Sequence, residues 1–385
     1  MSAEPASGSE PRARSGELRA LALLFLRLGA TAFGGPAAHV ALMEDEIVRR
    51  RGWLSRERFL DLLGATNLIP GPNSTELAIH VGHARAGWPG LVVAGASFIA
   101  PAALIVTACA WAYVRFGALP ELAGFLYGVK PVVIAIVAQA LWRLGRTAIR
   151  SVRLGALALA AAAANALGVD EIAVLAASAL LAVAVEVGVA RAARGFVPLA
   201  GAGTVAASTS SVFGLWPLFF FFAKVGSVLF GSGYVLLAFL RTGLVAQRGW
   251  LSESQLLDAV AVGQVTPGPL FTTATFIGYL LGGAAGAAVA TLGIFLPAFV
   301  FVALSAPFLP RLRASPVAGA LLDGVNAASL ALMAVVTAHL ARTALVDWLT
   351  LGLAAAAGAV LLARPRWSSA WLVLAGGAAG VLLRG

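Results

Sequence analysis

Ile69-Pro70-Gly71-Pro72-Asn73-Ser74-Thr75-Glu76 and Thr266-Pro267-Gly268-Pro269-Leu270-Phe271-Thr272-Thr273 are the stretches that decide the fold. In each, two prolines flank a glycine inside an otherwise apolar run. A proline removes a backbone donor and blocks a helical hydrogen bond, and the glycine admits backbone angles closed to other residues. A helix entering either stretch must break there, and a new one starts among hydroxyl and amide side chains. The two lie 197 residues apart (267 − 70). The same offset relates Phe33-Gly34 to Phe230-Gly231 and Gly52-Trp53-Leu54-Ser55 to Gly249-Trp250-Leu251-Ser252. After a one-residue gap, Pro101-Ala102 matches Pro297-Ala298, Gly128-Val129 matches Gly324-Val325, and Arg146-Thr147-Ala148 matches Arg342-Thr343-Ala344. The chain is an internal duplication.

Of the 385 residues, 60% are hydrophobic and 11% charged, and apolar runs recur along nearly the whole length, beyond what a soluble core of this size requires. We expect an all-α polytopic membrane protein of roughly ten to twelve apolar segments, each of about 20 residues. The halves are expected at 18–195 and 212–385, most simply as inverted repeats, with broken or re-entrant helices at the Phe-Gly-Gly and Pro-Gly-Pro motifs. A disordered cytoplasmic tail is expected at 1–17 and a Gly/Ala/Ser-rich linker at 196–211. The run from Leu18 lacks a small-residue cleavage site and reads as a mature helix. The net charge of +10 comes from arginines at segment ends, which act as topology signals in a multi-pass plasma-membrane protein and form no stripe for nucleic acid. Cys109 is the only cysteine, so neither a disulfide framework nor a thiolate metal site is expected, and no cofactor is implied. The small residues Gly282, Gly283 and Gly286 suit either a homodimer or packing within the chain.

Orientation is ambiguous on charge alone. Arg12, Arg14 and Arg19 precede the first apolar segment and Arg49-Arg50-Arg51 follow it, yet both groups read as cytoplasmic. Either the segment broken at Phe33-Gly34-Gly35-Pro36 is re-entrant, or the second arginine group is external.

Paired interruptions at matching positions of two halves point to a substrate site. A helix restarting at Asn73-Ser74-Thr75, or at Thr272-Thr273, presents free N–H groups and its dipole to an anion. Arg27 and Lys224 are matched cations in the middle of apolar runs, seven residues before Gly34 and Gly231, and therefore on the faces bearing those glycines. Together they predict a cationic cavity bordered by Gly35 and Gly233 and by Pro70, Gly71 and Pro72 with Pro267, Gly268 and Pro269. Snorkelling of Arg27 and Lys224 to an interface is the plainer reading of the same positions. Among the acids, Asp61 and Asp258 are matched and suit either proton sites or structural partners. Glu76 and His80, one turn apart, are replaced by Thr273 and Ile277 in the second half and form either a proton path or a local hydrogen-bonded pair.

Phe33-Gly34-Gly35-Pro36, the Arg-Arg-Arg-Gly-Trp-Leu run from Arg49, Pro70-Gly71-Pro72-Asn73-Ser74, Thr266-Pro267-Gly268-Pro269 and Thr272-Thr273-Ala274-Thr275 together resemble the bidomain members of the chromate ion transporter family. The resemblance covers roughly residues 18–345, with the last helix pair fitting by hydropathy. It implies export of chromate from the bacterial cytoplasm across the inner membrane, chromate resistance, and energy from the membrane potential or proton gradient. The second half departs in lacking Glu44-Asp45-Glu46 and the arginine triplet.

The expected function is thus secondary active transport of chromate, a tetrahedral oxyanion, by alternating access. Sulfate or another oxyanion shares its charge and shape. A membrane-embedded enzyme acting on a lipid-linked phosphate would also use a cationic cavity, but the sequence has no HExxH motif and no Cys/His cluster. A passive channel would show no coupling to a proton gradient.

Overall fold

The computed structural model describes residues 11–33, 35–117, 119–191, 213–230, 233–305, 315–364 and 369–384. Gly34, Gly231, the first ten residues and the expected 196–211 linker lie outside the described residues. Helices follow in two matched series. The first is α1 (Pro11–Thr31), α2 (Gly35–Glu44) with a π-helical turn (Asp45–Arg50), α3 (Arg56–Thr66), α4 (Asn73–Phe116), α5 (Pro120–Ala148), α6 (Val152–Ala166) and α7 (Glu171–Arg191). The second is α8 (Leu215–Val228), α9 (Leu236–Leu240) with its π-helical turn (Arg241–Ala246), α10 (Glu253–Val265), α11 (Thr273–Ser305), α12 (Pro316–Ala344), α13 (Trp348–Ala363) and α14 (Ser369–Arg384). No strand occurs among the described residues.

The Gly-Trp-Leu-Ser motifs are helix starts. Gly52 and Gly249 turn the chain at φ 58° and 62°, and the serine caps the next helix: Ser55 accepts from Arg58 N–H, and Ser252 forms a capping box with Gln255. Such a cap is worth about 1 kcal/mol.

Both breaks of the first half are re-entrant. Arg85, at the end of the first arm of α4, pairs with Glu17 near the start of α1 at 3.2 Å and stacks over Trp53 at 5.5 Å. Three chain positions separated by two breaks therefore share one end of the bundle. This resolves the charge ambiguity: the arginines at the start of α1 and those after α2 lie at the same end. The second half repeats the arrangement, with Phe213 against both Trp250 and Gly282.

A third interruption escaped the sequence reading. α4 folds back on itself at Ala86-Gly87 (Gly87 φ 63°) and α11 at Gly282-Gly283 (Gly283 φ 60°). The two arms touch through glycines: a Cβ on Gly82 would strike the carbonyl of Gly90, and one on Gly278 that of Gly286. Gly282 packs on Phe213 and Gly286 on Gly278 within the chain, while Gly283 supplies the turn. Gly278→Val is expected to cost about 1–3 kcal/mol by overpacking, read as a lower unfolding temperature in detergent. Gly358→Val, with nothing near its Cβ position, should leave it unchanged.

Four helices among the described residues are long and apolar enough to cross a membrane: Asn73–Phe116, Glu121–Ala148, Leu270–Ser305 and Pro316–Ala344. The expected ten to twelve apolar segments take in shorter apolar helices as well, five of which lie among the described residues. The shorter apolar helices, such as Leu215–Val228 with 14 residues, reach only about 21 Å at 1.5 Å per residue, against about 30 Å of hydrocarbon. Hydropathy scores a half-length arm and a full span alike.

Matched helices run antiparallel across the halves. Gly95 of α4 faces Phe299 of α11, while Leu91 clusters with Val302 further along the same pair. The pseudo-two-fold axis is therefore perpendicular to spanning helices and lies in the membrane plane, as inverted repeats require. The halves also interlock. Gly128 of α5 lies against Gly376 and Gly380 of α14, and Gly324 of α12 against Ser178 and Ala179 of α7.

Candidate functional site: the crossing of the broken helices

The breaks of one half bond those of the other. Gly71 N–H donates to Leu229 O at 2.8 Å, and Gly268 N–H donates to Ala32 O at 3.0 Å. Both pairs join a Pro-Gly-Pro motif to the residue just before a Phe-Gly motif, so four interruptions meet at the centre of the pseudo-symmetry. Gly71 has φ 142° and Gly268 φ 92°. A Cβ at Gly71 would collide with Glu76 Oε1, and one at Gly268 with Ala102 and the Gly29 carbonyl. Irregular backbone at membrane depth survives only where protein or a cavity surrounds it. Here Gly71, Pro72, Pro267, Gly268 and Pro269 are buried and Pro70 half-buried. Gly35 turns at φ 77°, and Gly233 packs on Leu270 and Phe271.

Asn73 is half-buried and the other polar residues after the breaks are buried, and they are differently employed. Asn73 Nδ2 donates to Asn67 Oδ1 at 2.8 Å, and Ser74 Oγ meets His39 Nδ1 at 3.3 Å. Thr75 Oγ is buried without a partner. Thr272 and Thr273 donate to the carbonyls of Pro269 and Leu270, each at 2.8 Å. Glu76 is fully buried and neither carboxyl oxygen has a hydrogen-bond partner. His80, one turn on, is also buried with Nε2 unpartnered, so no direct bond joins the two.

A cavity of about 510 Å³ opens beside the crossing. Asn67, Asn73 and Phe230 line its inner end. Gln139 and Arg143 of α5 and Arg150 just beyond it, with Asp323, Asn326 and Ser329 of α12, continue it outward. α5 returns to the end occupied by Glu17, Trp53 and Arg85, so the cavity runs from the crossing towards the arginine-rich end. Arg143 and Arg150 against Asp323 leave it net cationic.

Among the residues read from sequence, Asn73 lines this cavity. Arg27 and Lys224 do not: Arg27 is 56% exposed and bonds Glu46 at 2.8 Å, and Lys224 is exposed on α8. Asp61 is exposed on α3, whereas its counterpart Asp258 is buried. Asp258 is held by Lys130 at 3.3 Å and Tyr113 at 2.9 Å, and Lys130 also donates to Ser254 at 2.7 Å. These bonds tie α5 and α4 of the first half to α10 of the second. Lys130→Met strands a buried carboxylate and is expected to cost about 3 kcal/mol, seen in thermal unfolding. The Lys130→Met/Asp258→Leu double variant should recover most of that loss.

His39, Arg143, Gln139 and Asn326 went unnoticed in the sequence. His39 is the one titratable side chain in Gly35-Pro36-Ala37-Ala38-His39-Val40-Ala41-Leu42, which was signal enough. The other three meet only because α5 and α12 pack across the halves, which no local pattern announces.

Two inverted, interlocked repeats with broken helices meeting at a polar centre define the class: a helical membrane protein of transporter architecture. Within it, this chain belongs to the chromate transporter family, whose pattern matches residues 19–183 and again 216–381. It is 35% identical over 379 residues to the chromate transport protein of Cupriavidus metallidurans, covering 96% of this chain and 94% of that protein. It is 35% identical to the chromate transport protein of Pseudomonas aeruginosa, over 93% of this chain and 91% of that one. With the probable chromate transport protein of Synechococcus elongatus it shares 33% identity over 86% of each chain. No solved structure matches it.

Proposed function

We propose that this protein is a secondary active transporter that exports chromate across the bacterial inner membrane by alternating access and so confers chromate resistance. The observation that carries the reading is the pair of crossed bonds, Gly71 N–H to Leu229 O and Gly268 N–H to Ala32 O, beside a net cationic cavity. The family and its chromate-transporting relatives support the substrate. A dianion in a low-dielectric site needs charge-assisted bonds beyond helix N-termini, and Arg143 with Asn73, Gln139 and Asn326 meets that need. Around them, Gly35, Gly233, Ser74, Thr75, Thr272, Thr273 and the two Pro-Gly-Pro turns form the wall that rearranges. Arg27 and Lys224, at matched positions before the breaks, guide the anion's approach from opposite ends. Asp258 serves structure through Lys130.

The cavity opens at the arginine-rich end, which the positive-inside rule assigns to the cytoplasm. An opening on that side supports reading this conformation as the loading state of an exporter. Inverted membrane vesicles carrying the protein should accumulate labelled chromate, with Arg27→Gln and Lys224→Gln slowing uptake. Vesicles that accumulate sulfate and not chromate would move the substrate to another oxyanion. No movement of either would sink the transport reading.

A further inference from the structure

We propose that Glu76 is a coupling-cation site of the transport cycle, that the cation is a proton, and that it binds together with the oxyanion. The inference rests on the anion site proposed above. Glu76 lies one turn from the cavity-lining Asn73, with its carboxyl against Gly71 at the crossing. It is 0% exposed and neither oxygen has a hydrogen-bond donor. A bare carboxylate in such a place is prohibitively desolvated, so a positive partner must accompany it.

The groups around it do not supply one. His39 of α2 is engaged by Ser74 and the Ala32 carbonyl. On α3, Arg58 and Asp61 are both exposed. Arg27 of α1 is taken by Glu46, and Lys224 of α8 is exposed. α11 meets the Gly71 turn through Ala298, and α8 through the Leu229 carbonyl, neither of them a charge. His80 on its own helix makes no bond to it. No group of three or more His, Cys, Asp or Glu side chains able to hold a metal ion occurs among the described residues, and a proton is the partner we assign.

The matched positions of the second half do not repeat the site. At the matched position Thr273 satisfies its hydroxyl on Leu270 O, and Ile277 and Leu236 replace His80 and His39. Asp258 is excluded because Lys130 already neutralises it. The pseudo-two-fold that makes the anion site symmetric is thus broken at the proton.

The sign of coupling follows from charge. An oxyanion beside an ionised Glu76 is repelled and beside the neutral acid is not, so each ligand promotes the other's binding, a reciprocity that linkage requires. One proton then accompanies one dianion. During export the complex carries a single negative charge outward, so the inside-negative potential drives the cycle while the proton moves against its gradient.

The test is equilibrium binding of sulfate and of labelled chromate to purified protein from about pH 7 to 9. There the wild type should lose affinity as pH rises, because the ionised Glu76 repels the anion. Glu76→Gln, and Glu76→Thr as the second half's own solution, should show a flat profile and bind more tightly than wild type at the alkaline end. A wild-type profile that both variants retain would overturn the proposal, as would affinity that follows sodium at fixed pH. If neither anion binds wild type at any pH, the anion site itself fails and the proton proposal falls with it for that separate reason.

Discussion

Gly268→Val is expected to abolish transport while the protein still inserts. At φ 92° a side chain is strained by about 1–2 kcal/mol, and a Cβ there meets Ala102 and the Gly29 carbonyl, adding about 1–3 kcal/mol of overpacking. A combined cost of about 2–5 kcal/mol lowers the population of the crossed conformation at least about thirtyfold. The Gly268 N–H to Ala32 O bond is lost first, because it is made by the residue that must move. The helices of spanning length do not depend on this turn, so membrane insertion should persist. Gly71→Val should behave alike at the matched turn, where the obstruction is Glu76. Chromate flux in vesicles, normalised to inserted protein, is the measurement. Wild-type flux in both variants would separate the crossing from function.

How far the sequence foresees this arrangement differs element by element. Pro70-Gly71-Pro72 and its partner announce a break in any context, because the missing donors are a property of proline. The 197-residue offset makes the two breaks one site in principle. The re-entrant path was left open by arginine positions alone, since charge reports which end a segment reaches and not how it gets there. The fold-back at Ala86-Gly87 had a signal in Pro89 and Gly90 after it and in Gly282-Gly283 at the matched position, but its consequence shows only when Gly82 rests on Gly90. Arg27 and Lys224 stood out through their rarity in apolar runs. Their surroundings, above all the Glu46 contact, depend on how the π-helical turn after α2 presents that carboxylate. Arg143 was overlooked for the opposite reason: an arginine near a segment end looks like a topology signal.

Arg143→Gln is the second large effect expected. Arg143 is a guanidinium lining the cavity between the crossing and the arginine-rich end, and a hydrogen bond to a charged group is worth about 1.5–3 kcal/mol. Its loss should weaken oxyanion binding roughly 10- to 150-fold, with little change in unfolding temperature because the side chain is exposed. Arg143→Lys should recover part of the affinity, keeping the charge without the planar fork. A loss confined to transport rate, with affinity intact, would make Arg143 part of the moving wall instead.

The most direct test of the central claim, that the oxyanion sits where the four breaks cross, is equilibrium binding of labelled chromate to purified wild-type, Arg143→Gln and Gly268→Val proteins. The account predicts saturable binding by wild type, binding at least about tenfold weaker in Arg143→Gln, and none in folded Gly268→Val. Saturable binding that neither substitution alters would contradict it and place the site elsewhere in the protein.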